Sequence, residues 1–209
     1  MVSGFRQRDY SIRDGHISGL AAPDAREPAV MIGGFVALGG SMVLFGQELH
    51  RRLGSRARPG VGPALVASAG VCTTLAGILR RDRMANWLPG ETEPYRQSAI
   101  NDAHDRFSVA AQACGLAATF ALSRRFRNEP GLEAMRRPMI GLALVTGGLA
   151  VYFASETARP GNGIAQRVGV TLSLGGMVAL AARMLRSPPS CSVDRGNRPI
   201  GAMGLQSID

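Results

Sequence analysis

Apolar residues are concentrated in five runs along this chain, and most charged residues lie between the runs. The runs are residues 30–47, 63–79, 107–123, 139–155 and 168–185. Each contains 17 or 18 residues, so a helix over one run would be about 26 Å long, slightly shorter than a hydrocarbon core of roughly 30 Å. Arginine side chains at the ends of the runs can reach the headgroups. The pattern predicts an all-α fold, a multi-pass transmembrane helix bundle with five spans.

Outside the runs, the chain is too short and too polar to form a second folded domain. The longest polar stretch, residues 80–106, has 27 residues, too few to bury a core of its own. We expect an extracytoplasmic N-terminal segment at residues 1–28, a transmembrane helical domain at 29–187 and a disordered cytoplasmic tail at 188–209. The N-terminal segment lacks the continuous apolar stretch of a signal peptide.

The chain is strongly positive, and its positive charge comes from arginine alone. The sequence has 24 basic residues, none of them lysine, and a formal net charge of +9. These arginines lie at the ends of apolar runs rather than on one basic face, which argues against nucleic-acid binding. The three cysteines, Cys72, Cys114 and Cys191, provide no disulfide framework.

The distribution of arginine predicts an orientation in the membrane. The loops at 48–62 and 124–138 contain four and five arginines, whereas the loop at 156–167 contains two. Because arginine is enriched on the cytoplasmic side, we expect the loops at 48–62 and 124–138 and the C-terminal tail to lie in the cytoplasm and the N-terminus outside. Arg80, Arg81 and Arg83 follow the second run and argue against this orientation.

With that orientation, the polar residues that could bind or react gather on the outer face. The candidate residues of this outer polar site are Asp82, Asn101, Asp102, His104, Asp105, Ser108, Gln112, Glu156, Gln166 and Arg167. Four of them follow spacings of four, three and four and would share one face of the third helix: Asn101, Asp105, Ser108 and Gln112. The sequence therefore predicts a polar stripe that runs from the outer surface into the bilayer.

Two interpretations of this site stay open. His104 with Asp82 and Asp105 offers nitrogen and oxygen ligands of the kind that zinc accepts. The other two histidines lie elsewhere, so no cofactor is predicted, and a divalent metal is the alternative. Asn101 or Asp102 can instead cap and orient the third helix.

Three further residues have simple structural interpretations. Gln112 lies in mid-span, where a primary amide needs a partner inside the bundle, and interhelical hydrogen bonding is its expected role. Glu156 and Arg167 flank the short outer loop and can close it as an ion pair. The alternative for this pair is substrate binding.

Small residues and aromatic residues also have expected positions. Small residues at a spacing of four allow helices to pack closely in membranes. On the first span such a stripe is formed by Gly33, Ala37 and Ser41. The aromatic residues expected to anchor at the headgroups of the outer boundary are Trp87, Tyr95 and Tyr152.

Four places in the chain, taken in their order and spacing, are similar to those of a known family. They are residues 10–22 (YSIRDGHISGLAA), the group Gly34, Phe35 and Gly39, the pair of segments 77–82 and 101–108, and residues 163–167 (GIAQR). Together they resemble domain-of-unknown-function family 998, a family of bacterial multi-pass membrane proteins, over about residues 10–186.

The resemblance implies a six-helix bundle in which one helix precedes the segment that corresponds to residues 10–22. Only nine residues precede Tyr10 here, so we expect a family-like bundle that lacks the first helix, either because the chain is truncated at its start or because the helix has been lost. The resemblance also implies a location in the bacterial inner (cytoplasmic) membrane with the N-terminal segment outside. It implies no activity.

The resulting hypothesis is a non-enzymatic protein of the lipid bilayer whose outer polar site binds a small molecule, a lipid or a partner. Other membrane helices or a second copy of the chain are further candidate partners. The alternative is a metal-dependent enzyme that acts at the outer leaflet. A small-molecule transporter comes third, because an ionisable residue near mid-bilayer is missing. The chain contains no phosphate-binding glycine loop, nucleophile elbow, HExxH pair or CxxC motif.

Overall fold

The computed structural model describes residues 10–53, 60–82, 97–155 and 160–186, and these residues form an all-α bundle. The α-helices are α1 (Pro28–Leu53), α2 (Val61–Ile78), α3 (Ala99–Arg125), α4 (Arg136–Ser155) and α5 (Asn162–Arg186). Short 3-10 helices lie at Ile17–Ala21, Phe126–Asn128 and Glu133–Met135. The described part of the chain contains no strand, so the predicted all-α fold is confirmed. The predicted tail at 188–209, Glu156, Trp87 and Tyr95 lie outside the described residues.

Each predicted apolar run lies within one helix, apart from Leu79, which is the C-terminal cap residue of α2. α3 begins well before its run because Ser98 caps its N-terminus. The Ser98 hydroxyl accepts a hydrogen bond from the backbone N–H of Asn101 at 3.2 Å, which satisfies one of the free donors of the first turn. The expectation that Asn101 or Asp102 would be the cap was therefore wrong.

Helices that are adjacent in the sequence run antiparallel. Gly39 of α1 faces Gly70 of α2. Gly46 lies further along α1, and it faces Pro63, which lies earlier on α2. Leu122, near the end of α3, contacts Gly62 at the start of α2. The bundle therefore has two ends. We call the end with the termini Leu53, Val61, Arg125, Arg136 and Arg186 the arginine end, and the opposite end, which carries residues 10–27, the polar end.

Side chain to backbone hydrogen bonds join the elements at the arginine end. The Arg125 guanidinium donates to the carbonyl of Leu53 at 2.7 Å, and Arg52 donates to the carbonyl of Met184 at 2.7 Å. A buried apolar cluster lies beside these contacts. Its members are Leu49, Leu53, Val66, Ala118, Leu122, Phe126, Leu132, Met139, Leu180 and Met184.

α1 and α2 pack closely through glycine, but not through the predicted stripe. A Cβ atom on Gly39 would lie 2.4 Å from the carbonyl oxygen of Gly70, so both backbones approach too closely for any side chain. Gly33 has no atom within 4 Å of the position of a Cβ, and Ala37 and Ser41 are exposed. The predicted packing role of the Gly33 stripe was wrong, since that stripe faces away from the bundle.

The outside of the bundle is apolar on every helix. One exposed apolar side chain from each helix, in chain order, is Leu44, Val71, Val109, Val151 and Val178, at 67, 49, 66, 71 and 68% exposure. Among the described residues, α1, α2 and α5 are long and apolar enough to cross a membrane. Such faces are stable in lipid rather than in water. The protein is therefore embedded in a membrane.

Candidate functional site

A chain of hydrogen bonds at the polar end joins the end of α2 to the start of α3. Asp82 accepts from the hydroxyl and the backbone N–H of Ser98 at 2.5 and 2.9 Å. The backbone N–H of Asp82 donates to the Asn101 side-chain oxygen at 3.2 Å. The Asn101 amide donates in turn to Asp105 at 3.1 Å, and the Arg81 guanidinium donates to the other oxygen of Asp105 at 2.7 Å. Asn101 thus links the backbone of Asp82 to the carboxylate of Asp105.

This chain of bonds, which we call the Asn101 network, is buried on one side and open on the other. Asn101 is fully buried, and only 9% of the Arg81 side chain is exposed. Asp105 keeps 32% of its side chain exposed, and Asp82 is half-buried. The buried donors Asn101 and Arg81 therefore hold the Asp105 carboxylate, and the half-buried Ser98 holds the Asp82 carboxylate. Both aspartates remain partly exposed to solvent.

His104 lies beside this network and caps α2. Its Nδ1 atom is 2.7 Å from the carbonyl oxygen of Ala76 and 2.8 Å from that of Leu79. Both partners are acceptors, so Nδ1 carries the proton, and both belong to the end of α2, where carbonyl groups lack helical partners. Nε2 lies 3.4 Å from the Ser108 hydroxyl. The imidazole therefore joins α3 to α2 and is almost completely buried.

The remaining predicted residues of α3 contribute less. Asp102 is exposed at the surface of the first turn. Gln112 is half-buried, and among the described residues its amide has no hydrogen-bond partner, so the expected interhelical bond is not found. The residues of the predicted polar stripe are in contact at the polar end, where Asn101 binds Asp105 and His104 approaches Ser108, and not at Gln112.

Gln166 and Arg167 belong to a second group of contacts at the polar end, with the N-terminal segment. The Gln166 side-chain oxygen accepts from the backbone N–H of Ile17 at 2.7 Å. The Arg167 guanidinium donates to the carbonyls of Ile12 and Gly15 at 2.8 and 2.9 Å and to the Tyr10 hydroxyl oxygen. The predicted partner of Arg167, Glu156, is outside the described residues, so the expected ion pair is not tested.

The N-terminal segment docks on the start of α5 through its backbone as well. The Asp14 carboxylate accepts from the backbone N–H of Gly161 at 2.7 Å, and the backbone N–H of Ile164 donates to the carbonyl of Arg13 at 3.0 Å. A Cβ atom on Gly163 would lie 2.5 Å from the carbonyl oxygen of Gly15, so only glycine permits this approach. We call this set of contacts, between residues 10–17 and residues 161–167, the N-terminal clasp.

Two ionisable groups of the clasp have shifted pKa values. The backbone hydrogen bond from Gly161 lowers the pKa of Asp14 below its ordinary value, and the Ser11 hydroxyl and Arg13 act in the same direction against partial burial. Burial raises the pKa of Tyr10, although the nearby Arg167 cation opposes that rise. At neutral pH Asp14 is thus a stable anion and Tyr10 a neutral phenol.

Sequence reasoning missed several residues that these two groups need. Arg81 and Ser98 complete the Asn101 network, and Tyr10, Asp14 and Gly161 complete the clasp. A signal for the clasp was present, because residues 10–22 and 163–167 are two of the four places that carry the family resemblance. Their contact explains why both patterns occur in one chain.

The described residues offer little for a metal ion. They contain no group of three or more His, Cys, Asp or Glu side chains placed to hold one. Nδ1 of His104 is engaged with two carbonyl groups, and both oxygens of the Asp82 and Asp105 carboxylates already accept hydrogen bonds. The arrangement suits hydrogen bonding by fixed carboxylates better than coordination.

Comparison with known proteins gives a family and no activity. The sequence profile of the family described as Protein of unknown function (DUF998) matches residues 1–183. No curated protein and no solved structure matches the chain. The resemblance seen in the sequence is confirmed, since the match includes the N-terminal clasp, the Asn101 network and most of α5. This membrane-embedded helical bundle belongs to the DUF998 family of proteins of unknown function.

Proposed function

We propose that the protein is a non-enzymatic, five-span protein of the bacterial cytoplasmic membrane whose polar end binds a small molecule, a lipid or a partner protein. The observation that carries this proposal is the Asn101 network. Its carboxylates are positioned by hydrogen bonds from Ser98, Asn101 and Arg81, so little conformational entropy remains to be lost when a ligand binds them. The bound group would be a hydrogen-bond donor, an amine or a hydroxyl, because the exposed parts of Asp82 and Asp105 are acceptors.

The charge distribution supports an orientation with the polar end outside. In the described part of the chain, the arginine end carries nine arginines and three glutamates, within residues 48–53, 124–137 and 183–186. The polar end carries six arginines and six carboxylates, within residues 13–27, 80–82, 102–106 and at Arg167. The excess of arginine at one end favours a cytoplasmic location for that end, since positive loops stay on the cytoplasmic side. Exposed apolar side chains on α3 and α4 support crossing by all five helices.

The test of binding compares Asp105→Asn with Asp102→Asn. Both variants lose one carboxylate charge on the same turn of α3, but only Asp105 belongs to the Asn101 network. Each protein is extracted with its surrounding membrane into polymer-bounded nanodiscs, and native mass spectrometry measures the bound non-protein mass. We expect a bound species in the wild type and in Asp102→Asn that is lost in Asp105→Asn. Equal occupancy in all three proteins would refute binding at this site.

The metal-dependent enzyme is the second candidate, and His104 with Asp82 and Asp105 are its residues. It predicts stoichiometric metal in detergent-purified wild type and its loss in His104→Ala. The proposed non-enzymatic bundle predicts the same trace content in both, with membrane integration unchanged. A transporter ranks third, because all charged side chains of the described residues lie near one end of the bundle or the other.

A further inference from the structure

A shallow groove opens on the outside of the bundle at the arginine end. It lies between the end of α1 and the start of α2 and has a volume of about 370 Å³. Its lining residues are His50, Gly60, Val61, Ala64, Leu65 and Ser68. The groove is separate from the Asn101 network and the N-terminal clasp, which lie at the opposite end.

The walls of this groove suit a hydrocarbon chain. Val61, Ala64 and Ser68 lie on one face of α2 and are exposed, so the groove opens sideways toward lipid and not into the bundle. From Val61 to Ser68 it extends roughly 10 Å along the helix. Most of its surface is aliphatic, and Ser68 is near its far end. An acyl chain of a membrane lipid can lie along such a face with its headgroup at the arginine end.

The charge beside the groove determines which headgroup fits. Five exposed arginines at the arginine end make no ion pair with any residue that the structure describes: Arg124, Arg127, Arg136, Arg137 and Arg186. Arg125, the neighbour of Arg124, donates to the carbonyl of Leu53 at the end of α1, so the end of α3 lies close to the end of α1 that borders the groove. Two of the three glutamates at this end are already engaged, since Glu48 binds Arg51 and Arg52, and Glu129 binds Arg125. The third, Glu133, is exposed and is outnumbered by the unpaired arginines.

We infer that this groove is a binding site for an anionic phospholipid of the bilayer. The acyl chain lies against Val61 and Ala64, and the phosphate faces Arg124 and the other unpaired arginines of the arginine end. Guanidinium groups form paired, charge-assisted hydrogen bonds with phosphate, and the net positive charge of this end disfavours a cationic headgroup. The acyl chain of a zwitterionic lipid also fits the groove, but its headgroup has no net charge and does not neutralise the arginines.

The test uses detergent-purified protein titrated with phosphatidylglycerol or phosphatidylcholine of the same acyl chains, with native mass spectrometry counting bound lipid. We expect phosphatidylglycerol to bind more tightly, and this preference to weaken between low and high salt because screening reduces the charge interaction. Ala64→Trp fills the groove. This variant should bind lipid about tenfold more weakly, because that is the effect of losing contact with only two methylene groups of the acyl chain.

Ala37→Trp is the matched control, because Ala37 is also an exposed alanine on a lipid-facing helix surface but lies outside the groove. Its lipid affinity should equal that of the wild type. Ser68→Phe blocks the groove independently at its far end and should weaken binding in the same way if Ala64→Trp cannot be purified. Arg124→Gln should reduce the preference for phosphatidylglycerol, whereas Arg106→Gln at the polar end should not. Equal affinity for the two lipids, or tight binding by the groove-filling variant, would overturn the inference.

Discussion

Arg167 donates a hydrogen bond to the phenol oxygen of Tyr10, 157 positions earlier in the chain, and its guanidinium carbon lies 5.6 Å from the centre of the Tyr10 ring. The same hydroxyl points to the carbonyls of Gly15 and His16, at 3.0 and 2.8 Å. Tyr10 thus stabilises the conformation of residues 10–16 and connects this segment to α5. This contact joins the beginning of the described chain to the first turns of α5 at the polar end of the bundle.

Tyr10→Phe should loosen the N-terminal clasp. The variant keeps the aromatic ring beside Arg167 but removes the hydroxyl, which leaves a half-buried guanidinium with one acceptor fewer. We expect a loss of about 1–3 kcal/mol in the free energy of unfolding, measured by thermal unfolding in detergent, and faster proteolysis within residues 10–27. Arg13→Gln is the control, since the Arg13 side chain is 72% exposed and its ion pair with Asp14 is long, at 3.8 Å. Equal proteolysis of the two variants would count against the clasp.

The clasp should also depend on pH through Asp14. The pKa of Asp14 in the folded protein is below 3.8, mainly because Gly161 donates to the carboxylate. A lowered folded-state pKa means that the ionised group stabilises the fold above its ordinary pKa and that this contribution is lost as pH falls through the folded-state value. The wild type should be thermally more stable than Asp14→Asn. This difference should have its full value at pH 6 and should become smaller as pH falls below 3.8. A difference that stays constant to pH 2.5 would contradict the role of Asp14.

The positions of the helices could be predicted because each one contains a single apolar run that is bounded by charge. The partners of the polar side chains could not. His104 was grouped with carboxylates by its place in the sequence, yet it binds the carbonyls of Ala76 and Leu79, which any residue type would supply. Backbone acceptors carry no sequence signal, so this capping role is visible only when α2 and α3 are packed together.

The packing face of α1 was ambiguous for a different reason. Small residues occur at helical spacing on two faces of α1, one with Gly33 and Ala37 and one with Gly39 and Gly46. Periodicity alone treats the two faces alike. The face with Gly39 packs because α2 offers Gly70 opposite it, and this complementarity is a property of two helices together.

Alanine substitutions at two neighbouring glycines of α1, one on each face, should change the stability of the protein differently. Gly39→Ala places a methyl group 2.4 Å from the Gly70 carbonyl oxygen and should reduce stability by about 1–3 kcal/mol, as overpacking does. Gly40→Ala meets no atom within 4 Å and should be neutral or stabilise the helix by up to about 1 kcal/mol. Denaturant titration in mixed micelles measures both values. A large loss in Gly40→Ala would mean that another helix covers this face.

The ion pair between Arg81 and Asp105 should respond asymmetrically to removal of its two partners. Asp105→Ala leaves the cation of Arg81 in a buried place without its carboxylate, and we expect a loss of about 3 kcal/mol. Arg81→Met leaves Asp105, which is one-third exposed and can be hydrated, so the loss should be smaller. The double variant should be more stable than Asp105→Ala alone. Thermal unfolding of the four proteins tests this order, and Asp102→Ala supplies a surface control. Equal losses from the two single variants would show that Arg81 is hydrated.

The orientation of the bundle can be tested by labelling single cysteines in intact cells. Pro23→Cys places an exposed thiol at the polar end, and Asn128→Cys places one at the arginine end. In a background with Cys72, Cys114 and Cys191 replaced by serine, a membrane-impermeant maleimide should label Pro23→Cys in intact cells and Asn128→Cys only after lysis. The reason is the excess of arginine at the end that contains Asn128, which should hold that end in the cytoplasm. The reverse pattern would place the Asn101 network and the clasp inside the cell, where the proposed outer-face ligand could not reach them.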